Sequence, residues 1–215
     1  MHMYIPWWKF GRKNDFPRGY HIEIGGGRHM PSVGMFDGLC HREEGYGLAL
    51  KQRAREEYGT GVWFSGRGEM LPNPDTYCEI DPEVVDEFGI PVLRFHFKFT
   101  EYELRQAKDM QETFRAIVEA MGGEYRTKTA IDGQYPYGIQ EGGKIIHEVG
   151  TARMGADPKT SVLNGYCQAH DVKNLFVTDG ASLVTNPDKN PTLTILALSW
   201  RASDYLLDEA KKGNL

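Results

Sequence analysis

Between Val92 and Phe99 the chain alternates without a break: Leu93, Phe95, Phe97 and Phe99 are separated by Arg94, His96 and Lys98. A side-chain period of two belongs to a β-strand, and it places the apolar set on one face and the basic set on the other. One face is therefore expected to be buried and the other wet. That is the behaviour of an antiparallel sheet, because a strand inside a parallel sheet is apolar on both faces. Arg94, His96 and Lys98 are read as a solvated sheet face in preference to the lining of a substrate cleft.

The strand leads into a helix. Thr100-Glu101-Tyr102-Glu103 has the form of a capping box, in which the Thr100 hydroxyl serves a first-turn amide and Glu103 reaches back to the amide of Thr100. Leu104, Ala107, Met110, Phe114, Ile117 and Met121 follow at three- and four-residue steps, and Gly122-Gly123 ends the element. This stripe is expected to pack on the sheet that contains Val92 to Phe99. Upstream, Val62 to Ser65 and Thr76 to Ile80 read as two strands of one hairpin joined across Leu71 to Asp75, where Pro72 and Pro74 forbid helix. Residues 1 to 50 hold Gly25-Gly26-Gly27, Gly34, Gly38, Gly45 and Gly47 between short apolar pieces such as Tyr20 to Ile24. Short strands with tight connections are the reading there, and residues 124 to 143 read as loop with at most one short strand.

At 215 residues, with 40% apolar and 12% aromatic side chains, the chain can bury a sizeable core. Its formal charge of −5 is spread along the sequence, so the basic stripe that nucleic acid demands is missing. No apolar run approaches the roughly 20 residues of a membrane-spanning helix. Met1 to Phe10 lacks the basic, apolar and small-residue succession of a signal peptide. Cys40, Cys78 and Cys167 are read as isolated thiols, and no Cys/His spacing points to a metal site. Glu79, Asp81, Glu83, Asp86 and Glu87 read as an exposed acidic turn in preference to a cation site. Trp7 and Trp8 are expected to pack on the sheet rather than stack on sugar rings.

The last seventy or so residues differ in character. His147 stands within Ile145-Ile146-His147-Glu148-Val149-Gly150-Thr151, and Asn174 to Thr178 reads as a short strand ending at Asp179-Gly180. Asn190-Pro191 then opens a helix, with Asn190 as cap and Pro191 at the first helical position. Leu193, Leu196, Ala197, Trp200 and Leu207 form its stripe, Ile195 and Leu198 widen it, and its first turns are expected to be nearly surrounded by protein. Lys211-Lys212-Gly213 closes it with suitable charge and a C-cap residue.

These residues suit the oxidation of an alcohol carbon, which must lose a hydride from carbon and a proton from oxygen. Histidine, with an unperturbed pKa nearest neutrality, is the natural base. An asparagine amide can donate to the developing alkoxide without titrating. The N-terminus of the helix after Asn190 favours negative charge, such as a flavin ring gains on accepting a hydride. A strand ending at Asp179-Gly180 allows close backbone approach to a ligand.

The order His147-Glu148-Val149-Gly150-Thr151-Ala152-Arg153-Met154-Gly155, then Asn174 to Gly180, then Asn190-Pro191-Thr192-Leu193-Thr194 resembles the C-terminal region of the glucose-methanol-choline (GMC) oxidoreductases. Asp81-Pro82-Glu83, Gly89-Ile90-Pro91-Val92 and the Phe-rich strand are similar to the substrate domain of the gluconate-dehydrogenase-like branch. The resemblance implies an α+β fold: an antiparallel-sheet substrate domain over residues 1–143, then residues 144–215 as the C-terminal strand and helix of an FAD-binding domain. It implies FAD as hydride acceptor and a sugar, polyol or other alcohol as donor. His147 and Asn190 fall at the family's two catalytic positions, Asp179 and Gly180 at its strand-end cofactor contact, and Pro191 and Thr192 at the flavin-ring end of the helix. Whether Arg153 pairs with a carboxylate or reaches a cofactor phosphate stays open.

The family's FAD pyrophosphate site, a strand, a Gly-x-Gly-x-x-Gly turn and a helix, has no counterpart in the sequence. Gly25-Gly26-Gly27 has no suitable strand and helix around it, and Gly66-Arg67-Gly68 has Leu71 where the third glycine belongs. The expectation is a C-terminal portion of such an enzyme, inactive and holding FAD weakly or not at all by itself. Its partner would be an FAD-binding segment upstream in the same protein or on a companion subunit. A carbohydrate-binding or assembly module that kept the fold without the redox chemistry is the competing expectation.

Overall fold

The computed structural model describes residues 2–11, 13–27, 40–41, 46–127 and 136–215. Gly34, Gly38 and Gly45, and part of the loop expected after Glu124, lie outside them. In chain order come strands β1 (His2–Trp8) and β2 (Tyr20–Gly26), helix α1 (Gly47–Glu57), strands β3 (Val62–Gly68), β4 (Tyr77–Val85) and β5 (Pro91–His96), and helices α2 (Glu101–Ala120) and α3 (Thr192–Lys212). The strands form a three-stranded antiparallel sheet in the order β1-β2-β3 and a separate antiparallel pair, β4-β5. The α+β class expected from the sequence is what the chain adopts.

The core lies between the larger sheet and α2. Along β2, Tyr20, Ile22 and Ile24 share one face, and their partners on β3 are Gly68, Gly66 and Phe64. Two of the three partners are glycines because α2 lies directly above them. A Cβ at Gly66 would run into the Met110 thioether, and one at Gly68 into the Gln106 amide. With those side chains absent, Phe16, Tyr20, Ile22, Met110 and Phe114 close into one buried cluster, flanked by Trp8, Phe64 and Ile117. The Tyr20 hydroxyl crosses this layer to donate to Asp109 (2.6 Å) and meets Thr113 at 3.0 Å. Burial, and then the Asp109 carboxylate, push its pKa above the ordinary tyrosine value.

The capping box at α2 forms as expected. Thr100 Oγ1 accepts from the Tyr102 amide (3.3 Å), and Glu103 Oε2 accepts from the Thr100 amide (2.7 Å). Ala107, Met110, Phe114 and Val118 are buried, whereas Met121 is exposed. The helix does not cover β5, however; it covers β2 and β3. The expected hairpin between Val62 to Ser65 and Thr76 to Ile80 is likewise absent. β3 finds its partner in β2, from the Tyr20–Gly68 pair to the Gly26–Val62 pair, and β4 pairs with β5. Nearness in sequence favoured the hairpin, but the helix stripe needs the face that β2 and β3 build together.

β5 keeps the predicted alternation and reverses the predicted burial. On one face of the β4-β5 ribbon, Tyr77 stacks on His96 at 4.3 Å and Glu79 accepts from Arg94 Nε (2.9 Å) and from His96 Nε2 (2.9 Å). On the other face Ile80, Leu93 and Phe95 are 68%, 55% and 66% exposed. Ile80 and Leu93 stay open there, and Phe95 reaches the cleft described below. The acidic turn has a local explanation: Asp81 Oδ1 accepts from the amides of Glu83 and Val84, and Asp86 Oδ1 from those of Phe88 and Ile90. Among the described residues no cluster suits a metal ion, and no helix is long and apolar enough to cross a membrane. The three cysteines are free thiols. Trp8 packs against the core, whereas Trp7 is 71% exposed.

Candidate functional site

His147, with φ of 91°, sits in the left-handed region that non-glycine residues rarely occupy. Such a conformation has to be held by its surroundings. From three residues on, Gly150, Ala152 and Met154 donate their amides to the carbonyls of Gly180 (3.2 Å), Ala181 (3.0 Å) and Ser182 (3.0 Å) and fix the segment that follows His147. This lacing brings Glu148 and Val149, the residues that follow His147, against Gly180.

Gly180 is the point of closest approach. A Cβ there would stand 3.3 Å from Val149 Cγ1, 3.4 Å from the Glu148 carbonyl oxygen and 3.5 Å from Ile195 Cδ1. Ile195 belongs to the first turn of α3, where its amide donates to the Pro191 carbonyl at 2.9 Å. Three segments, those of His147, Asp179-Gly180 and Pro191-Thr192, therefore meet across one glycine. Asp179 has an additional task, since its Oδ1 accepts from the Ala181 amide (2.8 Å) and caps the short turn Gly180–Ser182.

Two expectations about this region are corrected. Residues 174–178 do not form a regular strand; they make one bridge, Phe176 to Gln168, with backbone bonds from Ala169 to Leu175 and from Val177 to Cys167. An extended segment counts as a strand only when a neighbour completes its ladder, and 167–169 is a short neighbour. Nor is Asn190 the helix cap. Pro191 takes that place with φ of −83° and ψ of −12°. Among the described residues no side chain caps the first turn of α3, and no acidic residue stands in that turn. The far end matches expectation, with Lys211 and Lys212 in the last turn and Gly213 left-handed at φ of 74°.

His147 lines a cleft of about 740 Å³ between the two sheets, along with Phe95, Phe97, Phe99, Arg67 and Asn186. Phe97 and Phe99 meet edge to face at 4.8 Å. A volume of this size accommodates a small organic molecule. Asn190 is exposed and stands outside this lining; the nearest residues of its loop that reach the cleft are Asn186 and Pro187. Arg153 is occupied locally, donating from Nε to the Thr160 carbonyl (3.0 Å). The apolar stripe of α3 is open, with Leu193, Leu196 and Trp200 at 79%, 61% and 75% exposure, contrary to the expectation that its first turns are enclosed.

A buried polar network beside the cleft escaped sequence reasoning. On the face of β2 opposite the core, His21 Nε2 donates to Glu23 Oε1 (3.2 Å), which also accepts from Arg67 Nε (3.1 Å). His21 Nδ1 lies 3.6 Å from Asp188 Oδ2. Burial would raise the Glu23 and Asp188 pKa values, yet both are lowered, because His21 with Arg67 for Glu23, and His21 with Lys189 for Asp188, outweigh it. The signal was present in the period of Tyr20 to Ile24, which places His21 and Glu23 together; their burial depends on what covers them.

The matched family fits this architecture. The C-terminal domain of the GMC oxidoreductases matches residues 72–199, more than half of the chain. The chain belongs to the GMC oxidoreductase family. It is 31% identical over 167 residues to the fructose dehydrogenase large subunit of Gluconobacter japonicus, covering 78% of this chain and 29% of that one. It is 32% identical over 161 residues to the 2-methyl-1,2-propanediol dehydrogenase of Mycolicibacterium austroafricanum, covering 75% and 28%. The gluconate 2-dehydrogenase flavoprotein of Pantoea cypripedii is 28% identical over 171 residues, covering 78% and 27%. These relatives agree with a gluconate-dehydrogenase-like branch. The chain spans less than a third of the length of each.

Proposed function

We propose that this chain is the substrate-facing and catalytic part of an FAD-dependent oxidoreductase that oxidises an alcohol group of a sugar, polyol or related molecule. The observation that carries the proposal is the junction at Gly180, where the His147 segment that lines the cleft meets the uncapped start of α3. We divide the chain at 143/144, with the substrate-binding part before it and the catalytic part after.

In this reading His147 accepts the substrate hydroxyl proton, and its restrained backbone fixes where the ring stands. Asn190, which stands outside the cleft lining in this chain, would donate to the substrate oxygen and orient it once a companion segment closes the site. The aromatic rings of Phe95 and Phe97 give one wall of the cleft, and Arg67 and Asn186 supply polar groups. Asp179, Gly180, Pro191 and Thr192 would hold the ring end of FAD, with the free amides of α3 favouring negative charge there. Bound flavin supplies the hydride acceptor.

The residues present fit that ring end and do not supply the pyrophosphate cradle. Gly25 and Gly26 lie within β2, and Gly66 and Gly68 serve the packing of α2. The chain by itself is therefore inactive and retains FAD poorly. A companion FAD-binding segment, upstream in the same protein or on another subunit, covers the open faces at Leu193, Leu196 and Trp200 and at Ile80 and Leu93.

Mixing the chain with a family FAD-binding segment, supplying FAD and a panel of sugars and polyols, and following dye reduction tests this reading. His147→Ala is expected to lower kcat by about 10²- to 10⁴-fold. Full dye reduction by that variant, or flavin absorbance that stays with the isolated chain through gel filtration, would overturn it. Sugar binding without any companion would instead favour the non-redox module.

A further inference from the structure

We infer that His21 is a positioning residue for the loop that carries Asn190, and that it acts through Asp188. The loop between Asn186 and Pro191 is anchored at three points on the larger sheet and its surroundings. Asn186 exchanges both backbone bonds with Met70, at 3.0 and 3.1 Å. Lys189 Nζ lies 5.6 Å from the centre of the Phe10 ring. Asp188, 8% exposed, turns its carboxylate inward toward His21 Nδ1 at 3.6 Å and also pairs with Lys189.

His21 is built to receive that carboxylate. It is 1% exposed, its Nε2 is held by Glu23, and Glu23 is held in turn by Arg67, so the ring cannot turn away without leaving a buried carboxylate short of a partner. Its Nδ1 has no hydrogen-bond partner, and the facing group is Asp188. A buried ring nitrogen aimed at a buried carboxylate two residues before Asn190 gives the loop a fixed distance from the sheet. Arg67 at the other end of the network lines the same cleft as His147. The wall of the cleft and the loop are thereby tied together by side chains that touch no substrate.

The anchoring stands on these contacts alone; the consequence for catalysis rests on the function proposed above. Backbone amide exchange on the full chain tests the first part. His21→Phe and Asp188→Ala are each expected to speed exchange at Asn186 and Lys189 by about tenfold or more, with Met110 and Phe114 of α2 still protected. The double variant is expected to add little to either single one, and Asp188→Asn, which keeps the shape but not the charge that faces His21 and Lys189, to lose protection in the same direction by a smaller amount. If His21→Phe also exposes α2, Asp188→Ala decides. Unchanged exchange at 186–190 in a folded Asp188→Ala variant overturns the proposal.

In the complex with an FAD-binding segment, Asp188→Ala is expected to lower kcat about tenfold while KM stays within about twofold, because Asn190 is needed for the oxygen in the transition state more than for binding. A raised KM with unchanged kcat would overturn the positioning role. A wild-type complex that reduces no dye would instead count against the functional reading, and the exchange result would still decide the anchoring.

Discussion

Gly150 donates its amide to the carbonyl of Gly180 at 3.2 Å, and a Cβ on Gly180 would stand 3.5 Å from Ile195 Cδ1 of α3, in contact with it. One backbone bond and one missing Cβ thus join the segment carrying His147 to the helix start that follows Asn190. Neither residue carries chemistry, yet the arrangement of the site depends on both.

Enlarging Gly180 should show this directly. Its Cβ position already meets Val149, Glu148 and Ile195 at 3.3 to 3.5 Å, so Gly180→Val forces further atoms into occupied space. A loss of about 1–3 kcal/mol is expected in urea unfolding, with the midpoint lowered and the slope unchanged. An unaltered midpoint would show that the three segments do not close on this residue.

The start of α2 offers a second measurement. Thr100→Ala removes the hydroxyl that accepts from Tyr102 and leaves Glu103, only 6% exposed, with half of its capping arrangement. The expected cost is about 1 kcal/mol, within the usual range for lost caps. Because α2 covers the core, the loss should appear in global unfolding. Local fraying alone would argue that α2 is not part of the core.

Acid should weaken the contact between β2 and the loop before Asn190. Glu23 and Asp188 are both held below their ordinary values of 4.5 and 3.8, so each contributes stability that is complete above those values and lost as pH falls through the lowered ones. Stability measured from pH 6 down to about pH 2 should fall less steeply in Glu23→Gln and Asp188→Asn than in the parent chain. Equal slopes in all three would exclude these carboxylates as a source of the acid response.

The open apolar faces predict behaviour of the chain without a companion. Trp200 and Leu193 on α3, and Phe95 on the ribbon, are each at least 66% exposed, and faces of this kind bind hydrophobic dyes and promote association. Fluorescence of a naphthalene-sulfonate dye should rise with the native chain, drop in Leu193→Lys with Trp200→Lys, and drop again on adding an FAD-binding segment. Dye binding that ignores both changes would place the apolar surface elsewhere.

Much of the chain was legible from local rules. The capping box at Thr100, the stripe Ala107-Met110-Phe114, the closing Gly213 and the alternation of β5 rest on residues within a few positions of each other, where geometry is set by helix pitch and strand pleat. Partner choice was not legible. Val62 to Gly68 pairs with Tyr20 to Gly26 instead of the nearer Thr76 to Ile80, because two glycines on β3 make room for α2, and only the packed helix reveals that need.

The site divides in the same way. Sequence by itself determined the family and the order in which its motif residues occur, since residue chemistry and motif spacing are carried by the chain. Tertiary structure decided that Glu148 and Val149 pack on Gly180 while His147 lines a cleft, that Pro191 rather than Asn190 stands at the N-cap position of α3, and that His21 stands behind the loop and faces its Asp188. Burial and proximity across tens of residues arise only when separate elements pack, so a histidine on a strand's polar face reads as solvated until the loop that covers it is in place.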